Sequence, residues 1–184
     1  MQHKIVILGP QGSGKGTQAM ILSNKLNIPA LSMGQLMRDE VAAGTKLGEI
    51  VKKSVETGIL APDEVALEIL LNRIAKSDCQ NGFIIDGYPR NMAQYKVFAE
   101  KMTPTVVLLI EVPREESMER MLKRAKIEKR PDDDPKIMEE RLNIYERETV
   151  PVLAEYEKQG LLKRVDGLGT VEQVAKRVAE AMGL

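Results

Sequence analysis

The stretch GPQGSGKGTQ (9–18) follows directly on the apolar run 5–8 and leads into a helix-forming segment. Glycines and a lysine between a strand pattern and a helix pattern describe a phosphate cradle, because successive backbone N–H groups there face an anion at a helix N-terminus. Gly9, Gly14 and Lys15 match the pattern G-x-x-x-x-G-K-[ST], with one irregularity. Gly16 occupies the hydroxyl slot, and the hydroxyl comes one residue later at Thr17, so a Mg²⁺ ligand is not supplied at the usual place. A plain glycine turn with an exposed lysine is the alternative, and the agreement of spacing with strand and helix context disfavours it.

Outward from the cradle, short apolar runs recur at 5–8, 30–32, 83–85, 106–112 and 161–165, with helix-like stretches between them. Such alternation predicts an α/β fold, a parallel sheet with helices on both faces. Ligands bind such sheets at the carboxyl ends of the strands, where Gly9, Ser32, Asp86, Pro113 and Asp166 would stand. Helix starts are marked by Pro62-Asp63-Glu64, by Pro113 with the acids that follow, and by a capping box at Thr170 and Gln173. Asp132 to Pro135 introduces a long helical pattern that Pro151 should kink or break, since proline lacks the amide donor.

Composition narrows the function classes. A chain of 184 residues suits one domain with a sizeable core. Lys+Arg 27 against Asp+Glu 27 leaves no net charge, so the long-range pull of a basic protein toward nucleic acid or anionic membrane is missing. Few aromatics (Tyr 4, Phe 2) are present for base stacking. The lone Cys79 excludes an internal disulfide and a cysteine-rich zinc site, and the lone His3 has no clustered ligands around it. Neither a signal peptide nor a membrane span is expected, and a cytoplasmic protein is.

Further motifs follow the cradle in order: LSMGQLMR (31–38), GILAPDE (58–64), FIIDGYPRNMAQ (83–94), ERMLKR (119–124), KRPDDD (129–134), EERLNIYERE (139–148) and VDGLGTVEQV (165–174). Moving a phosphoryl group between nucleotides gathers several negative charges, and its catalysis is chiefly positioning and electrostatic stabilisation. Lys15, Arg38, Arg90, Arg120, Arg124, Arg130 and Arg141 are the candidate cations. Arginine suits the task because its planar fork grips phosphate oxygens and stays charged. Taken singly, Arg120, Arg124 and Arg141 would equally fit surface salt bridges worth ~0.5 kcal/mol each.

As a set and in this order, the motifs resemble the adenylate kinase family of nucleoside monophosphate kinases, from about residue 4 to the C-terminus. The resemblance implies a P-loop NTPase-type five-stranded parallel sheet, with core 1–31, 77–124 and 142–184, an acceptor-binding insert 32–76 and a short lid 125–141. It further implies Mg-dependent, reversible transfer from ATP to AMP giving two ADP, by a monomer without structural zinc. ATP would be held by Gly12, Ser13, Gly14, Lys15, Gly16, Thr17, Arg120 and Gly169. AMP would be held by Met33, Gly34, Arg38, Ile59, Leu60, Ala61, Gly87, Arg90 and Gln94, together with Arg130 and Arg141. Lys15, Arg90, Arg124, Arg130 and Arg141 would be catalytic, and Asp86 would orient waters of a phosphate-bound Mg²⁺. In the family, Gln94 reads the adenine edge of the acceptor.

Some positions depart from the family pattern. Met33 stands where a threonine usually contacts the acceptor base, Gln35 where an aspartate usually helps hold Mg²⁺ waters, and Gln11 where proline is common. Met33 keeps a pyrimidine monophosphate kinase in view, against which Gln94 argues. A nucleotide-binding regulator without turnover is the rival from another class; it would lack the downstream arginines, which are present.

Overall fold

Alternate residues of the first strand, β1 (His3–Leu8), divide the interior in two. Ile5 and Ile7 point to one layer of helices, Val6 and Leu8 to the other, and all are buried. The computed structural model describes residues 3–128 and 134–184. Along the chain β1 is followed by α1 (Lys15–Leu26), β2 (Ala30–Ser32), α2 (Met33–Ala42), α3 (Lys46–Thr57) and α4 (Asp63–Ile74). Next come β3 (Gly82–Asp86), α5 (Met92–Lys101), β4 (Val106–Glu111) and α6 (Arg114–Glu128). The chain closes with α7 (Pro135–Ile144), α8 (Val150–Lys158), β5 (Leu162–Asp166) and α9 (Val171–Met182).

The strands form a 5-stranded parallel sheet in the order β2-β3-β1-β4-β5. β1 lies at its centre, with Ile7 beside Asp86 of β3 and Leu108 of β4. One face packs Val6, Leu31, Phe83, Ile85 and Leu109 against Leu70 of α4, Phe98 of α5 and Val152 and Tyr156 of α8. The other packs Ile5, Ile7, Ile84, Leu108 and Ile110 against Leu22 of α1 and Val174 and Val178 of α9. Strands covered on both sides read as continuous apolar runs, which is why they were legible in the sequence. Burial of each such aliphatic side chain is worth about 1.5–3 kcal/mol. The sheet's edges are the three-residue β2 and β5, on which Lys163 and Arg164 are exposed.

The expected strand positions hold to within a residue or two, and the expected caps are present. Thr170 and Gln173 form the capping box of α9 and Pro62 precedes α4; Asn91, not among the expected caps, accepts from the Gln94 N–H at 2.7 Å to cap α5. Asp134 caps α7, while Asp132 and Asp133 lie outside the described residues. Pro151 interrupts the long helical pattern in a particular way: a π-helical turn, Tyr145–Thr149, separates α7 from α8. Pro151 thereby falls in the first turn of α8, where its missing N–H is not needed.

Candidate active site

A cavity of about 810 Å³ opens at the carboxyl ends of the strands, floored by the glycine-rich loop. Ser32 and Asp86 border it at the ends of β2 and β3. Pro113 and Asp166 do not; they flank a separate shallow recess with Glu111 and Arg164. Gly14 caps α1 in a left-handed conformation, φ 87°, and no acid stands in the first turn. The positive end of α1 therefore meets the cavity with no acid of its own, and the Asp86 carboxylate stands beside it at Gly16. At Gly12 a side chain would collide with the Ser117 backbone carbonyl of α6, so only glycine lets the loop approach that helix this closely.

Lys15 lies at the base of the cavity, its Nζ donating to the Pro10 carbonyl at 3.2 Å. Burial lowers its pKa from 10.5 to about 8. Asp86 opposes that fall, and the positive fields of Arg90, Arg141 and Arg124 add to it. Asp86 is 9 % exposed, and its Oδ1 is buried without a hydrogen-bond partner. A Cβ at Gly16 would sit 3.4 Å from Asp86 Oδ2, so the absent hydroxyl leaves space beside the carboxylate. An unsatisfied buried carboxylate oxygen is costly, and the waters of a hydrated cation are donors that would satisfy it. Among the described residues no group of three or more His, Cys, Asp or Glu could hold a metal. The residues thus fit a Mg²⁺ held mainly by phosphate oxygens and steadied through water by Asp86.

Arginines from four helices and loops converge on this space. Arg120 of α6 donates to Glu116 Oε1 (2.6 Å), to the Ser13 carbonyl (3.4 Å) and to the Gly167 carbonyl (3.1 Å). It ties the cradle, α6 and the loop after β5 together. Arg90 donates to the Gly87 carbonyl at 2.6 Å, and its own carbonyl accepts from Thr149 of the π turn at 2.7 Å. Arg141 of α7 is only 9 % exposed, and Arg124 stands 3.9 Å from Glu128. Arg38 of α2 is held by Gln35, whose Oε1 accepts from Nε at 3.3 Å and Nη2 at 2.8 Å.

All the residues assigned to ATP line the cavity: Gly12, Ser13, Gly14, Lys15, Gly16, Thr17, Arg120 and Gly169. From the acceptor set, Gly34, Arg38, Arg90 and Arg141 line it as well. The others are placed differently. Met33 is buried in the core with Met37 and Leu31; Ala61 and Gly87 are buried, Leu60 is half-buried and Ile59 is exposed. Gln94 is buried, its Oε1 accepting from the Arg90 backbone N–H at 2.9 Å. Arg130 lies outside the described residues. Glu116, Gln18 and Val171 also line the cavity and were not anticipated. The spacing of Glu116 and Arg120 on one helix turn was a usable signal for the first. Gln18, which donates to the Val171 carbonyl at 3.1 Å, had none.

The family model described as "Adenylate kinase" matches residues 7–161. An adenylate kinase of Xanthomonas campestris pv. campestris (strain B100) is 43% identical over 185 residues, covering 98% of this chain and 99% of the relative. One of Thermobifida fusca (strain YX) is 39% identical over 184 residues, covering 97% of each chain. One of Micrococcus luteus is 40% identical over 184 residues, covering 97% of this chain and 90% of the relative. Likeness along nearly the whole chain, joined to a cradle ringed by arginines at the head of a five-stranded parallel sheet, means that the chain belongs to the adenylate kinase family.

Proposed function

We propose that this protein transfers the terminal phosphoryl group of ATP to AMP, reversibly, giving two ADP and so balancing the adenine nucleotides. The observation that carries the reading is the gathering of Lys15, Arg38, Arg90, Arg120, Arg124 and Arg141 around one cavity with the single strand-end carboxylate Asp86. A site that must hold the phosphates of donor and acceptor together needs such a surplus of fixed cations.

Each residue then has a task. The cradle N–H groups and Lys15 hold the donor's β- and γ-phosphates, and the triphosphate stabilises the Lys15 charge that burial disfavours. Arg120, locked between Ser13 and Gly167, presents its guanidinium plane to the donor adenine. Arg38 and Arg90 grip the acceptor phosphate. Arg124 and Arg141, with Arg130, close on the group in transfer, where an arginine is worth roughly 10³–10⁵ in rate. A bound Mg²⁺ would offset the negative charge of the phosphates. Asp86 supplies an acceptor for the metal's waters, a role its unpartnered Oδ1 suits.

Gln94 selects the acceptor base. Its carbonyl is fixed by the Arg90 N–H, so base reader and phosphate holder are coupled through one hydrogen bond, and its NH₂ group remains for the ring. Gly34 at the cavity wall and Ile59, Leu60, Ala61 and Gly87 complete the acceptor site, and Met33, its side chain turned into the core, backs it from behind. The insert 32–76 and the lid 125–141 are the segments that close over the substrates, around a core of 1–31, 77–124 and 142–184. We place the protein in the cytoplasm as a monomer acting on free nucleotides, without structural zinc and without a nucleic-acid or membrane partner. Its zero net charge provides no long-range attraction to polyanions, and among the described residues no helix is long and apolar enough to cross a membrane.

The test is the rate of diphosphate formation from ATP with AMP, CMP, UMP and GMP side by side. AMP should be much the fastest, from Gln94. Faster turnover with UMP or CMP would instead favour the pyrimidine reading that Met33 keeps open.

A further inference from the structure

Gln35 occupies the position at which the family pattern has a metal-associated aspartate, yet its amide is engaged elsewhere. Its Oε1 takes the Nε and Nη2 edge of Arg38, at 3.3 and 2.8 Å, and its Nε2 donates to Asp39 Oδ1 at 2.7 Å. These partners lie three and four residues along α2, so the contacts follow from helix geometry. Asp39 decides which end of the amide faces Arg38, because the carboxylate accepts only from the NH₂ group. On the remaining side, a Cβ at Gly34 would sit 3.4 Å from Arg38 Nη1, so that nitrogen lies over bare backbone. Gly34, Gln35 and Arg38 all border the cavity.

We propose that Gln35 is a positioning residue for Arg38, acting on the phosphate of the nucleoside monophosphate acceptor and not on the metal. This rests on the reading above in which Arg38 holds that phosphate. A neutral amide aims the guanidinium without spending its charge. A carboxylate at 35 would form an ion pair with Arg38 that competes with the incoming phosphate, and would face the like charge of Asp39 one turn on. Neutrality at 35 is therefore functional: residue 35 sets no anion of its own against the acceptor's phosphate.

The experiment is calorimetric titration of AMP, without Mg²⁺, into the full-length protein and its Gln35→Ala, Gln35→Glu, Arg38→Ala and Gln35→Ala/Arg38→Ala variants. Loss of one aiming hydrogen bond should weaken AMP binding about fivefold in Gln35→Ala. Gln35→Glu should weaken it further, to about tenfold or more, and Gln35→Ala should cost nothing once Arg38 is gone. In steady-state assays the effect should fall on KM for AMP rather than on kcat, with the Mg²⁺ midpoint unmoved. An equal loss with and without Arg38, unchanged AMP affinity in Gln35→Ala, or a shifted Mg²⁺ midpoint would each overturn the proposal. An Arg38→Ala protein that binds AMP normally would remove the assignment of Arg38 itself, and the proposal with it.

Discussion

Replacing Lys15 with methionine should make the nucleotide-free protein more stable at neutral pH, although it should disable the proposed donor site. The fall in the Lys15 pKa from 10.5 to about 8 corresponds to roughly 3 kcal/mol by which burial disfavours its charge. Loss of its hydrogen bond to the Pro10 carbonyl returns about 1 kcal/mol of that, leaving a net gain of about 2 kcal/mol for Lys15→Met at pH 7. The gain must depend on pH in one direction. Below pH 8 the lysine is charged in both folded and unfolded chains, and the wild type carries the whole penalty. Between pH 8 and 10.5 the unfolded chain keeps a proton that the folded protein has released, so wild-type stability rises with pH relative to the variant. The advantage of Lys15→Met should therefore shrink by about 2 kcal/mol between pH 7 and pH 9.5. Urea denaturation of both proteins without nucleotide at those pH values measures it. A stability difference that does not change with pH, or a variant less stable at pH 7, would refute the argument that burial governs the charge of Lys15.

Other perturbations address the arginines and their approach to the site. Arg124→Ala and Arg130→Ala should each depress kcat by ~10² or more while moving nucleotide affinity much less, as expected of contacts made chiefly in the transition state. Pre-steady-state and equilibrium binding measurements separate the two, and a loss confined to affinity would make these residues mere binding contacts. Gly58, at φ 74°, caps α3 where an added Cβ would lie 2.8 Å from Arg141 Cδ; Gly44, at φ 62°, has nothing within 4 Å. Asparagine tolerates this backbone region, so both variants accept the turn, and Gly58→Asn should lose ~1–3 kcal/mol more stability than Gly44→Asn because it crowds Arg141 and Ile137. Only Gly58→Asn should also lower kcat, on the order of tenfold by shifting Arg141; equal kcat values would show that Arg141 does not depend on that close approach.

The readily legible parts of this protein are those governed by neighbouring residues. Runs such as FIID and VVLLIE declare buried parallel strands by themselves, and Thr170 with Gln173 declares a helix start, because period and capping act over a few positions. The cradle was readable for the same reason. What escaped depends on partners distant in the chain. Arg120 is gripped by carbonyls of Ser13 and Gly167, contacts separated by 107 and 47 residues that no local pattern announces. Met33 sits on a helix turn beside cavity-lining Gly34 but directs its side chain into the core, a choice set by the packing of α2 and α3 and not by its own neighbours in sequence. Pro151 advertised an interruption, but the form it takes, a widened turn through Tyr145–Thr149 whose Thr149 hydroxyl reaches the Arg90 carbonyl, required the tertiary contact.

The sheet order carries a consequence for life at high protein concentration. An open sheet ends in strands with unpaired backbone groups, which are templates for another chain to extend. Here one border is β2, only Ala30–Ser32, too short to seed a ladder. The other is β5, whose exposed Lys163 and Arg164 would set like charges against those of a second copy aligned on it. Arg164 is moreover occupied with Glu111 at 2.8 Å and Glu157 at 3.2 Å. The apolar middle strands, which would fibrillise readily if uncovered, are thus shielded at both ends of the row by brevity on one side and by charge on the other.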